Sequence, residues 1–191
     1  MLNSRQLFTY FLIFIGLSVF AQKKTKTFST FYPSGALKEQ FEGYKKKKDT
    51  IRHGLYTIYY EDSVIWQQGH YEQGLLSGNW KVYYPQGNIH MEMNYRNGKL
   101  EGKYTVYYPN GQIQQEAFYS NDILNGTVTF YYEDGRLMEK SEYQNGMLHG
   151  VSIAFQSDGD TLHFKHFQSG KEHGEIINYY ETGCRRQHYY T

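Results

Sequence analysis

Through most of the chain, apolar and polar residues alternate with a step of two, the spacing of a β-strand with one face packed and one face open. Lys103-Tyr104-Thr105-Val106-Tyr107-Tyr108 is such a segment, rich in β-branched and aromatic side chains, and reads as a strand. Pro109-Asn110-Gly111 then reads as a turn. Gln112 to Tyr119 reads as a second strand, with Ile113, Ala117 and Tyr119 on one face. Asn-Gly steps at Asn97-Gly98, Asn125-Gly126 and Asn145-Gly146 are expected to turn the chain from one such pair into the next. Beyond Ala21 no segment carries a helical apolar period.

This hairpin pattern repeats every 24 residues. Gly54, Gly78, Gly102, Gly126, Gly150 and Gly174 keep that step, as do Gly87, Gly111, Gly135, Gly159 and Gly183. Gly74, Gly98, Gly146 and Gly170 form a third series, with Asp122 in the missing place. The pairs Tyr59-Tyr60, Tyr83-Tyr84, Tyr107-Tyr108, Tyr131-Tyr132 and Tyr179-Tyr180 follow the same register. Several independent series in one register define a repeat array. The expected fold is all-β: an open, twisted meander of tandem hairpins forming a single-layer, solenoid-like sheet. With about 13 strands at ~4.8 Å each, the sheet would be roughly 60 Å long. Each unit would touch only its neighbours.

Two units break the pattern. Phe31-Tyr32 precedes Tyr59-Tyr60 by 28 residues, and the basic run Lys45, Lys46, Lys47, Lys48 falls in this longer loop. After Gly150 the apolar positions move to Val151, Ile153 and Phe155, which predicts a bend, a register slip or a change of face. The last unit stops at Thr191, as a capping half-unit or a shortened chain.

The first 21 residues read differently. Arg5 precedes an apolar run from Leu7 to Phe20, ending at Val19-Phe20-Ala21. This is the layout of a secretory signal cut after Ala21, too short to span a membrane. The expected organisation is a signal peptide over 1–21, a linker over 22–30 and the repeat array over 31–191, in an exported protein that is periplasmic, outer-surface or secreted. No cysteine stands directly after the apolar run, which argues against a lipoprotein anchor; Cys184 is the one cysteine of the sequence and excludes an internal disulfide.

Composition changes the picture in two ways. The 21 tyrosines and 3 prolines favour an open sheet over a thick aliphatic core. The net charge of +1 gives no support to nucleic-acid binding.

The segments Tyr-Pro-Asn-Gly-Gln-Ile at 108–113 and Tyr-Arg-Asn-Gly-Lys-Leu-Glu-Gly at 95–102 resemble the MORN-repeat variant (membrane occupation and recognition nexus), and within it the bacterial YwqK-type antitoxin family. The resemblance covers about 31–190. It implies a scaffold or binding surface, and the antitoxin family implies neutralising a partner protein by contact.

No chemistry of catalysis stands out. No nucleophile elbow is present, and the glycines lead into strands where a phosphate loop needs a helix. His163 and His166 would face opposite ways on one strand. His149 and His173 hold equivalent positions just before a glycine, two strands apart, too far to share an ion, and read as turn histidines. No catalytic residue, metal site or cofactor is expected.

Binding is the remaining class. Tyr56/Tyr60, Trp80/Tyr84 and Tyr104/Tyr108 alternate with Tyr59, Tyr83, Tyr107 and Tyr131 on the opposite face. A single sheet cannot cover both rows. Tyr59, Trp66, Trp80, Tyr83, Tyr107 and Tyr131 are the candidate binding surface, although cross-strand packing alone also accounts for such rows. Lys45–Lys48 form a candidate basic loop, and the segment Glu175 to Tyr180 and beyond a candidate open edge. An unidentified protein partner is expected, with an envelope glycan or an anionic lipid surface as the alternatives.

Overall fold

The computed structural model describes residues 24–179 and 185–191. The expected signal segment, Gly183 and Cys184 lie outside them. The described residues hold fifteen strands and no helix. The first hairpins are β1 (Lys26–Phe31) with β2 (Leu37–Lys46), β3 (Asp49–Tyr59) with β4 (Ile65–Glu72), and β5 (Leu75–Tyr83) with β6 (Ile89–Arg96). Next come β7 (Lys99–Tyr107), β8 (Ile113–Ser120), the two-residue β9 (Ile123–Leu124), β10 (Gly126–Tyr131) and β11 (Leu137–Gln144). The chain ends with β12 (Met147–Phe155), β13 (Thr161–Gln168), β14 (Lys171–Tyr179) and β15 (Arg185–Tyr190).

All belong to one antiparallel sheet in which sequence neighbours are sheet neighbours; β9 pairs only with β8. β9 and β10 are one strand of the repeat, broken at Asn125. Among the described residues the array is therefore seven hairpins. The extra half-unit arises at the C-terminus, where β15 completes the last hairpin. β1 begins at Lys26, inside the segment expected to be linker, and pairs with β2 from Gly43 to Leu37.

The glycine series do two different jobs. Gln73-Gly74, Asn97-Gly98, Asn145-Gly146 and Ser169-Gly170 have positive φ at both residues, as does Asn121-Asp122. That is the two-residue hairpin turn whose twist matches its strands. Gly54, Gly78, Gly102, Gly126, Gly150 and Gly174 lie inside strands or at a strand's first residue, at φ from 68° to 120°, next to register irregularities of the ladder. They are bulges. Asn125-Gly126 is accordingly not a turn: Asn121-Asp122 turns the chain there. His149 and His173, which precede two of these glycines, lie in β12 and β14 for the same reason.

One row of side chains crosses the whole sheet. It runs through the pairs Phe28–Phe41, Phe41–Tyr56 and Tyr56–Gly69, then Trp80–Met93, Met93–Tyr104 and Tyr104–Ala117. The Glu116–Thr129 register carries it to Val128, and it continues as Val128–Ser141, Ser141–Ser152, Ser152–Lys165, Lys165–Ile176 and Ile176–Tyr189. Trp80, Ala117, Val128, Ser141 and Ile176 are all buried, without a second layer above them. Their own neighbours on the same face cover them. Tyr56, Trp80 and Met93 form the densest part, with Tyr71 and Tyr95 edge-on to the Trp80 indole. Gly69 makes room for that indole: a methyl group there would overlap it.

Beside this row, Leu76, Leu100, Leu124 and Leu148 each face a tyrosine of the preceding strand. The ends of the series carry charge. Arg52 pairs with Glu39 at 2.9 Å and lies over the Phe41, Tyr56 and Tyr71 rings. Glu172 pairs with Lys165 at 2.7 Å and accepts from the Tyr189 hydroxyl. Charged ends of this kind are how a repeat array closes an apolar stripe against water.

Successive units are also stapled. The Tyr32, Tyr60, Tyr84, Tyr108 and Tyr132 hydroxyls donate to the carbonyls of Tyr59, Tyr83, Tyr107, Tyr131 and Phe155, at 2.8 to 3.0 Å. This explains the second tyrosine of the pairs from Tyr59-Tyr60 to Tyr131-Tyr132. The unit after Gly150 keeps the same register, with Gly150 opposite Phe167 as Gly126 is opposite Tyr143. The array neither slips nor flips there. Only the side chains change.

Candidate functional site

Strand alternation places Tyr59, Tyr83, Tyr107 and Tyr131 on the face opposite Trp80. All four are half-buried and recur at the same point of successive units. Between them runs a ladder of charged pairs. Lys81 faces Glu92 directly across β5 and β6, with Nζ and Oε1 2.9 Å apart. Glu92 also accepts from the Tyr107 hydroxyl at 3.1 Å. Lys103 pairs with Glu116 in the next unit. Thr105, opposite both Glu92 and Glu116, is buried, as is Thr57, whose hydroxyl accepts from Gln68 at 3.2 Å.

The ladder is electrostatically settled at neutral pH. Hydrogen bonding to Glu92 raises the Lys81 ammonium above its ordinary range, and Glu116 does the same for Lys103. Lys81, then the Tyr107 hydroxyl, hold the Glu92 carboxyl below its usual range. Burial, then the Glu92 contact, raise the Tyr107 phenol. Ammonium, carboxylate and neutral phenol therefore coexist in fixed positions. Such a surface offers rings for packing and a pattern of alternating charge for register. It presents no activated nucleophile.

Trp80 is 1% exposed at the centre of the opposite face and is no part of a surface, because Gly69 lets it sink between Tyr56 and Met93. Trp66 is 43% exposed and lies 6.0 Å from the Tyr60 ring. Lys46, Lys47 and Lys48 are exposed around the β2–β3 turn, while Lys45 donates to Thr50 and lies 5.5 Å from the Phe28 ring. The edge expected at Glu175 to Tyr180 is covered through Tyr179, since β15 pairs with β14 from Glu175 to Tyr179; the free edge is β15.

A polar cluster that sequence reading missed lies on the Trp80 face, on β11, β12 and β13. The Ser141 hydroxyl is within hydrogen-bond distance of Glu139, at 2.7 Å, and of the Ser152 hydroxyl, at 2.9 Å; its one proton serves either. Ser152 lies 3.4 Å from His163 Nε2. Burial, then Lys165, push the His163 imidazole below its ordinary value. Both hydroxyls are under 5% exposed, so they pack within the sheet. Its only sequence signal was the replacement of aromatic and aliphatic residues by serine at equivalent repeat positions.

Among the described residues, no three His, Cys, Asp or Glu side chains converge in a metal-binding group. No helix there is long and apolar enough to cross a membrane.

Comparison with known proteins agrees with the hairpin geometry. The family described as MORN repeat variant matches residues 52–73, 76–97, 100–121 and 124–145, four tandem units that fall on the hairpins from β3 to β11. No curated protein matches the chain. Among solved structures, the crystal structure of GtfA/B complex bound to UDP and GlcNAc is 15% identical over 59% of this chain, with a TM-score of 0.24. The chain spans only 22% of that protein's length, and the likeness carries no argument.

Proposed function

We propose that this array of MORN-variant repeats is an exported, non-catalytic protein that binds a partner protein through the face carrying Tyr59, Tyr83, Tyr107 and Tyr131. The supporting observation is the arrangement of that face: half-open tyrosines at repeat spacing, interleaved with the Lys81–Glu92 and Lys103–Glu116 pairs. The other aromatic row is consumed by the sheet's own packing. Rings held with few free torsions, next to ordered charges, are the usual anchors of protein interfaces. Neutralisation of the partner, as the antitoxin family's name implies, is the finer form of this reading. The apolar start of the chain supports its export.

The test is affinity capture from the exported fraction of the native cell, using the chain and a Tyr83→Ala/Tyr107→Ala/Tyr131→Ala variant. The expected result is one stoichiometric protein held by the first and lost by the second, while both keep a β-type circular dichroism spectrum. Capture of envelope polysaccharide alone would replace this reading with glycan binding. Salt-sensitive retention on anionic vesicles that depends on Lys45–Lys48 would replace it with a membrane surface.

A further inference from the structure

The two ends of an open sheet are free to pair, and here both carry cations. Among the described residues β1 has a sheet neighbour on one side only, β2, and its other rank of backbone N–H and C=O groups faces outward. Its pairing places Lys26 opposite Gly43. Continuing that register puts Lys24 beside Lys45, next to the turn that holds Lys46, Lys47 and Lys48. Two separate stretches of the sequence, 24–26 and 45–48, thus become one corner with six lysines. The acids of β2 and β3 are Glu39, Glu42 and Asp49; Glu39 pairs with Arg52 at 2.9 Å, and Glu42 accepts from the Leu55 amide at 3.0 Å. Phe28 extends the sheet's apolar row to this edge, stacked on Phe41 at 5.2 Å, and Phe31 is 61% exposed. At the far end, β15 carries Arg185 and Arg186 on a strand exposed throughout.

Like charge at both ends opposes the joining of β15 of one copy to β1 of another, a common protection of edge strands. It favours a strand of opposite charge. We propose that the β1 edge accepts an acidic, extended segment of a partner polypeptide as one more strand of the sheet. Backbone hydrogen bonds to β1 would hold the segment, its carboxylates would face Lys24, Lys26 and the Lys45–Lys48 turn, and an apolar residue would cover Phe28. This site is separate from the tyrosine face and stands or falls without it.

The probe is an acetylated peptide alternating Glu and Val, titrated against the full chain and followed by fluorescence anisotropy and amide hydrogen exchange. Binding is expected to slow exchange in Lys26–Phe31 and leave β15 unchanged. It should weaken about tenfold as salt approaches ~1 M, where screening acts within about 3 Å. A Lys46→Gln/Lys47→Gln/Lys48→Gln variant alters only exposed side chains and should bind several-fold more weakly. The Tyr83/Tyr107/Tyr131 variant should bind the peptide normally. Absence of protection in β1, equal binding of a Lys-Val peptide, or undiminished binding by the lysine variant would each overturn the proposal and leave the tyrosine-face reading intact.

Discussion

From Phe41 to Tyr104 the buried row of the sheet is filled mainly by rings; from Ser141 to Lys165 the same row holds two hydroxyls and an ammonium. The backbone scarcely notices. Gly78 faces Tyr95 in one region and Gly150 faces Phe167 in the other, in identical register. The difference lies in what closes the face. In the first region, Tyr56, Trp80 and Met93 remove apolar area from water and interlock, with Gly69 as the socket. In the second, Glu139, Ser141, Ser152 and His163 satisfy one another, and burial is secured by hydrogen bonds. Truncating a ring in the first region leaves a cavity, while removing a partner in the second leaves a buried polar group unsatisfied. The comparison teaches that the repeat specifies turns, bulges and staples, and leaves the filling of the face to each unit.

The largest test of this contrast is Trp80→Ala. Removing a fully buried indole from the ring-packed region should cost about 3–5 kcal/mol, read as a lowered denaturant midpoint. Gly69→Ala should act on the same socket from the other side, since its methyl group would displace the indole. Recovery of stability in a Gly69→Ala/Trp80→Leu double variant, relative to the sum of the single losses, would show that the two are coupled.

In the polar region the corresponding change is smaller. Ser141→Ala leaves Ser152 and Glu139 without their shared donor and should cost about 1–2 kcal/mol. A loss as large as that of Trp80→Ala would erase the distinction between the halves.

The staples should not distinguish the regions at all. Tyr84→Phe and Tyr132→Phe each delete one hydroxyl bond to a carbonyl of the next unit. Both should lower stability by about 1 kcal/mol, and unequal losses would mean that the units are not equivalent in their joints.

The smallest effect is that of pH. Burial and Lys165 hold His163 below the ordinary histidine value of 6.5, so the unfolded chain takes up a proton before the folded one does. The full contribution is present above that value and is lost as pH falls from it toward the folded-state value. Amide exchange in β11 to β14 should therefore quicken on mild acidification. His163→Gln should flatten this dependence, and an unchanged pH response in that variant would assign the effect elsewhere.

Much of this molecule was legible in one dimension. Alternation marks the strands, and the 24-residue step marks the units, because a strand's side-chain period and a turn's need for positive φ are local properties. Other matters were undecidable locally. Gly98 and Gly102 both adopt positive φ, yet one closes a hairpin and the other bulges a strand; only the pairing of β6 with β7 separates them. Trp66 and Trp80 are equal as residues, but Gly69 lies across the sheet from one of them, so Trp80 is buried and Trp66 is exposed. Both faces carry tyrosine rows, and which row is consumed depends on side-chain contacts made across the pairing of neighbouring strands. The pairing of β1 with β2 likewise gathers Lys24 and Lys26 beside Lys45, which their spacing did not announce. Local preference determined the repeating backbone; cross-strand contact decided which side chains remain free to meet a partner.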